Sequence, residues 1–160
     1  MVRERVIARL LTAATIAALC ACSATRVETT TLYEELGGEP GVERIVHELL
    51  LEIAADDVLK PHFRNIHIAG FRSRLESFFC QIADGPCDYN GRSMRASHAT
   101  LGIDRRAFNR LVAGLIRAMD EVGVAYGSQN ALLSRLAVME SDIVTGRPFE
   151  RSLAAGTATR

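Results

Sequence analysis

Apolar residues recur at intervals of three and four through almost the whole middle of this chain. Val42, Ile45, Val46, Leu49, Leu50 and Ile53 make one stripe, and Phe71, Leu75, Phe78, Phe79 and Ile82 make a second. A third runs through Phe108, Leu111, Val112, Leu115, Ile116, Met119 and Val122, and a fourth through Leu132, Leu133, Leu136, Met139, Ile143 and Val144. Residues spaced this way share one face of an α-helix, whereas a half-buried strand needs strict alternation. No segment alternates for long enough to be a strand, so the expected fold class is all-α.

The helix ends are punctuated accordingly. Thr31 and Glu34 have the spacing of a capping box, which predicts a short helix closed by Gly37 and Gly38. Pro40 suits the first turn of the next helix. A turn around "DDVLKPHF" leads to the third, and "DGP" at 84–86 ends it. Asp104 is placed to cap a helix stopped by Gly123, and Ser128 is expected to open the last one, running on to Val144.

A length of 160 residues with 48% hydrophobic content suits one core rather than two. The 19 basic side chains balance 19 acidic ones. Such a chain has no basic field with which to hold phosphate backbones, so nucleic acid is not an expected partner.

Residues 1–21 differ from everything after them. Arg3, Arg5 and Arg9 precede an apolar run from Leu10 to Leu19, the layout of a secretory signal. The run would span only ~15 Å as a helix, too little for a permanent membrane span. "LCAC" at 19–22 resembles a bacterial lipobox, with Cys20 a departure from that pattern. The resemblance implies cleavage before Cys22 and lipidation of its thiol, a multi-chain anchor stronger than a single acyl chain. The expected location is a periplasm-facing bacterial membrane; a start site placed too far upstream is the alternative. Residues 22–30 read as a flexible tether, 31–145 as the folded domain, and 146–160 as a disordered tail.

The stretch 84–103 is unlike the rest. About twenty residues with only one or two helical turns are costly in a small domain unless they enclose something. Within it Met94 and His98 stand four apart on one face, so the imidazole points where the methionine points, inward. Either the ring is a core histidine satisfied by neighbours, or it holds a ligand.

Several short signals, in order, resemble the first group of truncated haemoglobins. They are "LYEELGG" at 32–38, Pro-x-Phe at 61–63, "FF" at 78–79, "YNGR" at 89–92, "MRASHATLGI" at 94–103 and the helix that carries Phe108, and the likeness runs from Leu32 to about Val144. It implies a two-over-two helical sandwich around haem b, with His98 as the proximal iron ligand. Phe63 matches the phenylalanine that packs on the macrocycle, and Arg74 a basic residue that reaches a propionate. Tyr89, Met94, Ile103, Phe108 and Leu111 fall where relatives contact the ring or support the proximal side.

The distal side departs from the family pattern. Relatives commonly carry a Phe-Tyr pair on the second helix, whose tyrosine hydroxyl hydrogen-bonds the iron-bound oxygen, with a glutamine on the third helix assisting. Here those positions read Leu49-Leu50 and Leu75, with Phe71 one turn before Leu75. A hydrogen bond involving a charged group is worth ~1.5–3 kcal/mol, roughly ten- to a hundredfold in affinity. Oxygen is therefore expected to leave faster, with carbon monoxide and nitric oxide less affected.

Cys80 and Cys87 are close enough in sequence to bridge, as an exported protein would permit. An eight-residue ring of this kind would stabilise by roughly 2–3 kcal/mol before strain. His47, His62 and His67 read as surface or loop residues, and zinc is not expected. Three functional classes follow. The first is a reversible binder of oxygen and other diatomic gases. The second is a haem enzyme acting on nitric oxide or peroxide, whose reductase would be a separate protein because the chain has no flavin or nicotinamide fingerprint. The third is a structural lipoprotein without haem.

Overall fold

Thr31 opens the first helix as the spacing predicts. Its hydroxyl accepts from the Glu34 N–H at 3.2 Å while the Glu34 carboxylate accepts from the Thr31 N–H at 2.8 Å. The structure, a computed structural model, describes residues 30–145. The expected signal segment, Cys22, the tether apart from Thr30, and the tail from Gly146 lie outside the described residues. Among the described residues seven α-helices follow one another: α1 Leu32–Glu35, α2 Gly38–Ala55, α3 Ile68–Ile82, α4 Met94–His98, α5 Arg105–Val122, α6 Tyr126–Ala137 and α7 Glu140–Ile143, with a 3-10 turn at Lys60–Phe63 between α2 and α3. No strand occurs among the described residues.

The α2 helix is the centre of the packing and lies chiefly against α5 and α3. Its stripe of Val42, Ile45, Val46, Leu49 and Ile53 is buried, facing Leu115, Ala118 and Met119 of α5 and Phe78 and Phe79 of α3 in one core. Two glycines permit close approach. A side chain on Gly41 would stand 1.9 Å from the Leu36 carbonyl oxygen, so only glycine lets α1 turn directly into α2. At Gly114 a Cβ would meet Glu52 at 3.3 Å, where α5 crosses α2.

Polar ties lock the same pair. Arg117 of α5 holds the Glu52 carboxylate at 2.5 and 2.8 Å. At the far end of α2 the buried Asp56 accepts from the Val58 and Leu59 N–H groups at 2.8 and 3.1 Å and from Arg110 at 2.7 Å. Burial pushes the Asp56 carboxyl up, but these donors together outweigh it and hold the group below its ordinary value.

The C-terminal stripe differs from the expectation in two ways. Its helix begins at Tyr126, not at Ser128, whose hydroxyl instead donates to Glu35 of α1 at 2.8 Å. It also breaks at Ala137 and resumes as α7, whose Glu140 and Asp142 pair with Arg105 and Arg95. Periodicity could not show this, since the three-and-four spacing continues across the break.

Candidate functional site

The stretch after α3 is tied down at its root. Cys80 and Cys87 are joined by a disulfide, and Gly85 donates to the Cys80 carbonyl at 2.8 Å. Arg135 of α6 donates to the Ile82 carbonyl and, at 2.7 Å, to the Asp84 carboxylate, which it holds below its ordinary pKa. Tyr89 then returns to α3: its N–H donates to Gln81 Oε1 at 2.5 Å and its ring meets Phe78 edge-on at 5.3 Å. The Tyr89 hydroxyl donates to the Arg92 carbonyl at 3.2 Å.

Ser93 caps α4, accepting from the Ala96 N–H at 3.2 Å, and α4 delivers His98 at its last position. The decisive contact is local: His98 Nδ1 lies 2.7 Å from the Met94 carbonyl oxygen. A carbonyl can only accept, so Nδ1 carries a proton, and in the neutral ring Nε2 is then the nitrogen with the lone pair. A backbone bond that fixes the tautomer in this way is the usual preparation of an imidazole for a metal.

Among the described residues no group of three or more His, Cys, Asp or Glu side chains could hold a metal ion. A single imidazole can serve a metal only where the other ligands arrive with it, as they do with iron in a porphyrin. Partly buried apolar side chains of the kind such a group packs on are present at the positions the sequence singled out. Leu50, Phe63, Leu75, Tyr89, Met94, Ile103, Leu111 and Ile116 are all half-buried along the margin of the core. Phe71 is half-buried too, its ring edge-on to Phe63 at 5.5 Å, and Phe108 is half-buried in the first turn of α5. Leu49 is instead part of the closed core, at 3% exposure. Arg74 stands exposed on α3.

The profile of the bacterial-like globin family matches residues 31–145. This chain is a bacterial-like globin. Within that family it is a group 1 truncated haemoglobin. It is 36% identical over 115 residues to the group 1 truncated haemoglobin of a Nostoc species, covering 72% of this chain and 98% of that one. With the group 1 protein of Mycolicibacterium paratuberculosis the identity is 25% over 121 residues, or 76% of this chain and 89% of the relative. In three dimensions the globin is similar to the truncated haemoglobin of Tetrahymena pyriformis in its Fe(III) form, with a TM-score of 0.70 and 24% identity across 74% of this chain and 100% of that one. A Synechococcus 2/2 haemoglobin in the cyanomet state, with covalently attached haem, gives a TM-score of 0.68 at 23% identity over 72% of this chain and 98% of its own. The two-over-two helical sandwich expected from the sequence is thus the fold, and haem-based binding of small ligands is what membership of the globin family implies.

Two roles within the globin were not anticipated. His67 caps α3, its Nδ1 accepting from the Gly70 N–H at 3.2 Å. Ser93 caps α4, and a serine immediately before the Met94 segment is the kind of signal that could have announced it. Nothing in the sequence marks Gln81 as the partner of the Tyr89 backbone.

Proposed function

We propose that this globin binds haem b through His98 Nε2 and uses it to bind small diatomic gases reversibly in an apolar pocket. The observation that carries the reading is the 2.7 Å contact from His98 Nδ1 to the Met94 carbonyl, which leaves Nε2 as the free donor. Haem iron supplies the open coordination position at which a diatomic gas binds. Phe63, Tyr89, Met94, Ile103, Phe108 and Leu111 would pack on the macrocycle, their half-buried apolar surfaces passing from water to the ring's faces and edge. Arg74 would meet a propionate with a charge-assisted bond. Leu50, Phe71 and Leu75 would line the ligand side, excluding water and donating no hydrogen bond.

This pocket distinguishes among gases. Oxygen, the most polarised when bound, gains nothing from leucine and phenylalanine, whereas carbon monoxide and nitric oxide lose little. The test is stopped-flow kinetics of the reduced, haem-loaded protein with oxygen and carbon monoxide. Fast oxygen release beside slow carbon monoxide release is expected; slow release of both would overturn the apolar-pocket reading.

We further propose that the globin is exported and held at a bacterial membrane through lipid on Cys22. Support comes from the signal-like layout of residues 1–22 and from the Cys80–Cys87 bond, which suits an oxidising compartment. Labelled palmitate should enter the wild-type chain and not Cys22→Ala; equal labelling, or none in either, would contradict the anchor.

A further inference from the structure

We propose that α7 is a clamp that positions His98, with Arg95–Asp142 and Arg105–Glu140 as its positioning pairs; this rests on the reading of His98 as the ligand of haem iron. A helix of five residues has no stability of its own, and neither has one of four. The α4 helix packs chiefly on α7, so each holds the other. Arg95, three residues before His98, pairs with Asp142. Arg105, at the start of α5, faces the buried Glu140 Oε1 at 2.7 Å as an ion pair rather than as an aligned hydrogen bond. Between them the Thr145 N–H donates to the Ile103 carbonyl at 3.1 Å. The chain from Arg95 to Arg105, with His98 inside it, is therefore fastened at three points to one short segment.

The fastening is at the rim rather than in the core. Arg95 and Arg105 have side chains 74% and 72% exposed, and the buried residues of α2, α3, α5 and α6 pack without them. Loosening α7 should therefore move the imidazole while leaving the core in place. Exposed pairs are screened by salt, so the clamp should weaken as ionic strength rises.

The test compares the full-length wild type with Asp142→Asn/Glu140→Gln. In the haem-free chain, amide exchange at Ser97 and His98 should quicken in the variant while α2 and α5 stay protected. In the haem-loaded chain, haem should pass to excess apomyoglobin about two- to fivefold faster, the change expected from losing exposed pairs. The iron–histidine band in the resonance Raman spectrum of the reduced protein should shift or broaden. Raising sodium chloride to about 1 M should speed haem loss in wild type and not in the variant. The reversed pair, Arg95→Asp with Asp142→Arg, should recover the exchange protection and haem retention that Asp142→Asn alone loses. Unchanged exchange at residues 97 and 98, or faster exchange spread equally over α2 and α5, would overturn the clamp. A wild type with no iron–histidine band would instead defeat the reading of His98, and exchange in the haem-free chain would still decide the clamp.

Discussion

His98 Nδ1 donates its proton to the carbonyl oxygen of Met94, 2.7 Å away and one turn earlier in the same helix. The ring is thereby oriented by backbone, which no substitution of a neighbouring side chain removes directly. Among the described residues the polar demand of this half-buried imidazole is met at one nitrogen, and the proposed role of the other is to bind iron.

The leucines proposed for the ligand side make a sharp prediction. Leu75→Gln keeps roughly the same volume and adds an amide donor. If Leu75 faces the bound gas, the oxygen dissociation rate should fall about ten- to a hundredfold, the effect of one hydrogen bond to a charge-bearing acceptor. Carbon monoxide dissociation should change far less. Equal rates in variant and parent, measured by stopped flow, would place Leu75 away from the ligand.

Gly41→Ala tests the corner between α1 and α2. The added methyl would stand 1.9 Å from a backbone oxygen, which cannot swing aside as a side chain could. Overpacking of this kind costs about 1–3 kcal/mol. Urea denaturation should show a lower midpoint with an unchanged slope; a midpoint equal to wild type would mean that α1 is free to move away.

Acid should loosen the end of α2. Because the Asp56 carboxyl is lowered in the folded chain, its stabilisation is complete above its ordinary unfolded value of about 4 and is lost as pH falls through the folded value. Asp56→Asn should be less stable than wild type near neutrality, and the difference should narrow below about pH 4. Melting curves across that range decide it, and a gap that stays constant with pH would assign the stabilisation to packing instead.

Much of this was legible in the residues alone. The stripes on α2 and α5 are strong because one face of each is buried along much of its length, that on α3 is buried only at Phe78 and Phe79, and the caps at Thr31, Asp104 and Gly123 fall where the spacing puts them. The break between α6 and α7 was not legible, because the apolar spacing continues across it, and the partners of Glu140 and Asp142, Arg105 and Arg95, lie far away in sequence. The histidine could be singled out by its irregular surroundings, yet not its partner. A carbonyl belongs to every residue, so no residue type announces that Met94 will accept from His98. His67 illustrates the reverse case: an imidazole near the pocket in sequence, it serves as a helix cap.

The most direct measurement is the absorption spectrum of haemin-reconstituted wild type beside His98→Ala, before and after adding free imidazole. Wild type should show a strong Soret band, the variant should bind haem weakly with a different spectrum, and imidazole should restore much of the parent's. A variant as strongly coloured as its parent, with the same bands and no response to imidazole, would contradict the assignment of His98.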